Sequence, residues 1–363
     1  MALPRAAAAL ADPLMAQDIW MACAGPFARL PSVGAKVYYF PKGHADQCRG
    51  VHLPVVPADT AVPCTVESVV LRYHAISGAP YAMISLHLGE GPAQPPAALA
   101  PAQPQFPDLR YYVKHLEGTS DDRRLVVPQP CADELFYPPP VQNEEDETQE
   151  QYLDMVDVRG NTIRFKHVLR NGNNTLTSGW TVYFRNNGLR MGKGKDGVVL
   201  MRCVEGQGGL LIGFRRGEPS PNLASELLHN FEAASAAAGA VPSNQLVLGQ
   251  VQNVHANPNP FTVHYYPRQG WPFVVPRTEV DRARRLDWEL GSTVIMSVPV
   301  DNHELPSSRL EAGAPPFFQG QITAVNNDDR WCQLQVNWDE SSAPTPSGEV
   351  NTWQVQLLAP HHL

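Results

Sequence analysis

Twelve histidines and six cysteines are the side chains from which a metal centre or a nucleophile would have to be assembled, and their spacing assembles neither. His44, His74, His87 and His167 lack metal-ligand spacing, and Cys23, Cys48, Cys64, Cys131, Cys203 and Cys332 are scattered singly with no C-x-x-C pair. No Gly-x-Ser-x-Gly elbow occurs. The stretch Gly192-Lys193-Gly194-Lys195-Asp196-Gly197 lacks the Gly-x4-Gly-Lys-Ser/Thr pattern of a phosphate cradle and reads as a hairpin between strands. These residues predict no enzyme, no metal and no cofactor, and the thiols are expected reduced in an intracellular protein.

The 363 residues suffice for two or three domains, and a hydrophobic content of 43% can supply their cores. A net charge of -8 argues against simple non-specific polyanion binding, because phosphates attract clustered Lys and Arg. Binding to DNA then requires positive charge gathered on one face. No run approaches the roughly 20 apolar residues that cross a bilayer, so no membrane association is expected. The Ala-rich opening, bracketed by Pro4 and Pro13, reads as a disordered tail over residues 1–15.

The elements are mostly short strands. Residues 33–41 and 62–88 are rich in β-branched and aromatic types, with Ser77-Gly78-Ala79-Pro80 as a hairpin turn. A Pro/Ala/Gln linker follows from 89 to 107. Strands are then expected at Arg110–Lys114, Leu153–Val158, Ile163–Val168, Trp180–Phe184, Val198–Arg202 and Leu210–Phe214, which suggests a barrel or sandwich. The acidic run Glu144–Glu147 reads as a solvated loop. Helices are expected over Glu226–Ala238, capped by Ser225 and stopped by Gly239, and over Asn244–His255. Another β pair, Phe261–Arg268 and Phe273–Pro276, and short C-terminal strands fitting a five-stranded barrel complete the chain.

Two early blocks, Asp18-Ile19-Trp20-Met21-Ala22-Cys23-Ala24-Gly25-Pro26 and Val37-Tyr38-Tyr39-Phe40-Pro41-Lys42-Gly43-His44, resemble the opening of the plant auxin response factors. Near the other end, Phe318-Gln319-Gly320-Gln321-Ile322, Arg330-Trp331 and Leu334-Gln335-Val336-Asn337-Trp338-Asp339-Glu340 resemble that family's ancillary, Tudor-like domain, in family order. Between them, Arg164–Arg170, Thr177–Phe184 and Gly209–Arg216 resemble a B3 DNA-binding domain. Asp157-Val158-Arg159-Gly160 and Tyr265-Tyr266-Pro267-Arg268 look most like the repressor-type branch.

The resemblance implies a mainly β chain with a few helices. A B3 open pseudobarrel (108–217) is inserted in a dimerization domain (16–107 and 218–289), and a small Tudor-like β-barrel (290–363) follows. Of the seven tryptophans, Trp20, Trp180, Trp331, Trp338 and Trp353 are expected in cores.

The resemblance also implies two DNA-reading loops, and both depart from the family pattern. Where the first normally carries Gly-Gly-Phe-Ser, this chain has Arg123-Arg124-Leu125-Val126. Losing the glycines removes close backbone approach, while the two arginines read either as phosphate grips, which position without specifying, or as part of a solvated loop. The second normally runs Arg-Gly-x-Pro-Arg-Arg-His, and here it is Arg170-Asn171-Gly172-Asn173-Asn174-Thr175, two residues shorter. Arg170 alone survives of that basic set, and it reads either as a base contact or as an exposed strand-end arginine. Asn171, Asn173 and Asn174 can bond adenine edges, and turn chemistry explains the same run. Ser178 and Thr181 complete the expected DNA-binding set. Gly249, with Gln250 and Asn253, is expected at the dimer interface, intramolecular packing being the other reading of that glycine.

The expected function is that of a nuclear transcription factor in auxin signalling. It would bind TGTC-type promoter elements as a homodimer, or as a heterodimer with other auxin response factors, with altered recognition and a repressive role. The alternative is a dimerization-only competitor of intact auxin response factors that binds DNA little. Ending after Leu357-Leu358-Ala359-Pro360, the chain is expected to lack a PB1 surface for Aux/IAA proteins.

Overall fold

The computed structural model describes residues 15–26, 28–47, 60–73, 79–89, 108–137, 148–192, 196–203, 209–217, 260–267, 272–297, 317–328, 330–339 and 347–358. The expected helices over 226–238 and 244–255 and the acidic run 144–147 lie outside these residues, as does most of the linker. Within them the protein is mainly β, its strands forming three sheets.

The first sheet draws on both halves of the chain. Strands β1 (Lys36–Tyr39), β2 (Val62–Tyr73) and β3 (Pro80–Leu88) are completed by β11 (Phe261–Tyr265) and β12 (Val274–Pro276), in the order β11-β3-β2-β1-β12, all antiparallel. Strands on either side of residues 108–217 thus share one hydrogen-bonded surface.

The intervening residues build the second, open barrel-like sheet. It comprises β4 (Leu109–His115), β5 (Leu125–Val127), β6 (Thr148–Asp157), β7 (Thr162–Arg170), β8 (Asn173–Leu176), β9 (Gly197–Cys203) and β10 (Leu210–Arg215). Their order is β4-β9-β10-β6-β7-β8-β5, and β10 with β6 is its parallel pair. Its core holds Leu116, Leu125, Phe165, Leu176, Trp180, Ile212 and Phe214. The third sheet is the small C-terminal one: β13 (Thr293–Ser297), β14 (Phe317–Val325), β15 (Leu334–Trp338), β16 (Glu349–Val350) and β17 (Gln356–Leu357).

The two opening blocks join these sheets. In the first, helix α1 (Gln17–Ala24) buries Trp20 fully and its indole N–H donates to the Tyr81 carbonyl of β3 at 3.0 Å. Its other side meets β10: Arg215 Nε donates to the Ala22 carbonyl at 2.6 Å. A β-carbon at Gly213 would lie 2.7 Å from Cys23 Sγ, so only glycine admits this approach. Burial pushes the thiols of Cys23, Cys64 and Cys131 up to about 12, which leaves them protonated and unreactive.

In the second block the strand expected to reach residue 41 is shorter, because β1 stops at Tyr39 and Pro41 opens helix α2 (Pro41–Gln47). This turn places Phe40 against Trp353, with ring centroids 4.7 Å apart, and Asp46 under the Trp331 indole N–H at 3.0 Å. Gly43 passes directly beneath the Trp331 ring. His44 bonds Tyr39 Oη at 2.9 Å and stacks on Phe273. The aromatic blocks are therefore the physical couplers of three sheets.

Two strand expectations are overturned. Trp353-Gln354-Val355, expected among the short C-terminal strands, instead lies on a 3-10 helical turn (Thr352–Gln354) closed by the Asn351 and Gln354 side chains. Trp180–Phe184 is not a strand but the start of helix α4 (Trp180–Asn186). Its β-branched and aromatic residues suggest a strand, yet burial of Trp180 and Tyr183 three positions apart needs a helical repeat, and tertiary packing overrides local propensity. Gly179 has φ 89°, and a β-carbon there would strike the Arg164 carbonyl oxygen, so the chain turns from β8 into α4 only through glycine. Gly192–Gly197 likewise does not link two strands, because it follows α4 and leads into β9, residues 193–195 lying outside the described set.

At the base of this sheet, buried Asp196 accepts from the Arg190 amide (3.0 Å) and Nη2 (3.0 Å), Arg216 Nη1 (2.9 Å) and the Gly217 amide (2.9 Å).

Candidate nucleic-acid interface

The β7–β8 connection is a two-residue turn. Arg170 pairs with Asn173, and between them Asn171 (φ 50°) and Gly172 (φ 74°) both adopt left-handed backbone. Asn-Gly is the pair that tolerates this, and the resulting turn matches the twist of the strands. The shortened second loop is therefore an ordered tip of the sheet.

Strand alternation sorts its side chains. Arg170 and Asn173 are exposed, as is Asn171 at the turn, whereas Asn174 points to the opposite face and is only 4% exposed. Asn174 is thus not placed to meet a base edge, unlike its neighbour. Its amide is engaged below the surface, with Oδ1 2.9 Å from His167 Nε2 and Nδ2 donating to Gln129 Oε1 at 2.8 Å.

Arg123 and Arg124 stand exposed at the end of a tightly wound loop leading into β5. Their amides both bond the Ser120 carbonyl, at 3.0 and 3.1 Å. Buried Asp121 accepts the Gly118 amide at 2.8 Å and lies 3.7 Å from Lys114 Nζ. From α4, the Trp180 indole N–H donates to the Asp121 carbonyl at 2.6 Å and the Thr181 hydroxyl to the Arg123 carbonyl at 3.3 Å. Thr181 therefore clamps the arginine loop. Ser178 is exposed beside it, its carbonyl accepting the Lys166 amide at 3.0 Å.

The register fixes how the two basic elements lie. Leu125, next to Arg124, pairs with Leu176, while Arg170 pairs with Asn173 at the far end of four-residue β8. The structure does not bring Arg123, Arg124 and Arg170 into one cluster; it sets them at opposite ends of β8. Among the described residues no ion pair neutralises these three arginines. Farther along β7 the cations are paired, Arg164 with Asp154 (3.2 Å) and Lys166 with Glu150 (2.7 Å).

Sequence reasoning missed β5, β8 and the inward polar residues His167 and Gln129. Three- and four-residue strands show too little periodicity to be read, and pairing with Arg170 was the signal that could have separated Asn173 from Asn174. Gly249, Gln250 and Asn253 lie outside the described residues. Among the described residues no group of three or more His, Cys, Asp or Glu could hold a metal, and no helix is long and apolar enough to cross a membrane.

No family model matches the chain. Auxin response factor 13 of Oryza sativa subsp. japonica is 34% identical over 93% of this chain and 62% of its own length. Auxin response factor 5 of the same organism is 29% identical over 94% of this chain and 30% of its own. Auxin response factor 17 of Arabidopsis thaliana is 27% identical over 94% and 62%, respectively. The chain thus spans less than two thirds of these relatives. A solved structure of a hypothetical Arabidopsis thaliana protein covers 31% of this chain at 15% identity and a TM-score of 0.23, too low to carry an inference about fold.

Proposed function

From the premise that this chain corresponds to the N-terminal region of the auxin response factors, we propose that it is a nuclear, DNA-binding transcription regulator of auxin signalling whose seven-stranded sheet is a B3 domain. Its partners in this reading are duplex DNA carrying a TGTC-type element and a second copy, or another auxin response factor, joined through the segment around Gly249, Gln250 and Asn253.

The observation that carries the proposal is the pair of exposed basic elements at opposite ends of β8, Arg170 at one and Arg123 with Arg124 at the other, which no ion pair among the described residues neutralises. Arg170 is suited to bidentate contact with a guanine edge, and Asn171 and Asn173 to amide contacts beside it. Arg123 and Arg124, held by Trp180 and Thr181, grip phosphates and fix the register. With one arginine at the reading tip, specificity is lower than a loop with several would give, since each good bidentate contact contributes about 1–3 kcal/mol of discrimination.

Fluorescence anisotropy with the full chain tests this. A duplex bearing the TGTC-type element is expected to bind about 10- to 100-fold tighter than its scrambled counterpart at ~0.15 M salt, below the range of about 10³ or more typical of specific binders. Equal binding to both, with mixed dimers forming normally, would favour the dimerization-only competitor, which the missing glycines and shortened turn also suit.

A further inference from the structure

Asn174 turns inward between the two strands that carry the basic tips, β5 and β7. Its backbone pairs with Val127 of β5 on one side and Leu169 of β7 on the other. Its side chain continues both ties, to His167 on β7 and to Gln129 on helix α3 (Gln129–Leu135), which follows β5 directly.

The hydrogen-bond directions along this chain are mutually consistent. Gln151 Nε2, an amide donor, donates to the Tyr137 carbonyl at 2.6 Å and lies 3.1 Å from His167 Nδ1. Nδ1 must then accept, so the imidazole proton sits on Nε2 and is donated to Asn174 Oδ1. That assignment orients the Asn174 amide, whose Nδ2 donates to Gln129 Oε1, and Gln129 Nε2 in turn donates to Asp133 Oδ1 at 2.5 Å. His167 is 1% exposed and packs edge-on to Phe136, so its bond to Asn174 is shielded from competing water, while the Gln129 end of the relay lies at the surface.

We infer that Asn174, acting with His167 and Gln129, is a positioning residue that locks the Arg170 hairpin to the arginine loop and thereby sets the specificity of DNA recognition. This rests on the DNA-binding proposal above. Asn174 acts through Arg170, Arg123 and Arg124 and touches no base itself.

Two variants separate positioning from folding. Asn174→Ala removes the hub, and Gln129→Ala cuts the relay at an exposed helix residue whose loss cannot unfold the sheet. In the free protein, amide hydrogen exchange over residues 169–174 is expected to quicken about tenfold in both variants while β9 and β10 amides keep their protection. On DNA, the preference for the element over the scrambled duplex should fall by a similar factor, and Asn174→Ala should add nothing further in an Arg170→Ala background.

Unchanged exchange at the hairpin overturns the inference. So does faster exchange with an unchanged sequence preference, which would make the relay merely structural. If the wild-type chain shows no sequence preference at all, the DNA-binding proposal fails by itself, and the specificity role assigned to Asn174 falls with it. The exchange result then decides whether the mechanical lock exists.

Discussion

Trp180→Ala is expected to cost about 3–5 kcal/mol of folding stability, the range for truncating a buried aromatic. Trp180 is fully buried, packs against Tyr183 and Phe184, and belongs to the core that fills the seven-stranded sheet. It also holds the arginine loop through the Asp121 carbonyl. Trp180→Phe divides these roles, because it keeps most of the apolar packing and deletes the indole N–H. That variant should cost about 1–3 kcal/mol, the range for leaving a buried acceptor unsatisfied, and it should weaken binding to element and scrambled duplex alike. Denaturant melts of the two variants beside the wild type check the expectation, and equal losses for Ala and Phe would show that packing is not what Trp180 supplies.

The second large effect concerns Asp196. Asp196→Ala is expected to cost about 3–5 kcal/mol, because it leaves the buried guanidinium of Arg216 and that of Arg190 without their shared counter-charge. Burial by itself would raise the Asp196 carboxyl. The hydrogen bond from Arg190, the charge of Arg216 and the Gly217 amide outweigh it and hold the group below the usual carboxylate range. Burial lowers the Arg216 guanidinium, which nonetheless stays charged at physiological pH.

A depressed carboxylate stabilises the fold at pH values above its unfolded pKa of about 3.9, and the stabilisation is lost as pH falls through the folded value. Wild type should therefore lose stability below about pH 4 more steeply than Asp196→Ala, whose curve is flatter there. Parallel acid limbs for the two proteins would mean that Asp196 does not set the acid sensitivity of the fold.

Much of this architecture is legible in the amino-acid sequence, and the failures have definite causes. Trp20, Gly43 and Trp331 occur in blocks dense enough to identify, and they are the residues that couple the three sheets. Trp180–Phe184 misleads because its composition suits a strand, while only the partners of Trp180 in space demand a helix. Asn173 and Asn174 are identical residues side by side, so residue type cannot separate them; their opposite fates follow from a register set by Arg170 and Val127. Arg123 and Arg124 can be named as cations, but the clamp that holds their loop depends on Trp180 and Thr181, more than 50 positions away in sequence.

In the proposed division of labour, Arg170 reads sequence and Arg123 with Arg124 grips phosphate. The most direct measurement of this division is the salt-dependent affinity of Arg170→Ala and of Arg123→Ala/Arg124→Ala for the TGTC-type and scrambled duplexes. Arg170→Ala should weaken binding to the element about 10- to 100-fold with little effect on the scrambled duplex. The double variant should weaken both equally and reduce the slope of log affinity against log salt by about 2. Equal loss on both duplexes for Arg170→Ala, or no loss on either, would mean that Arg170 does not read sequence.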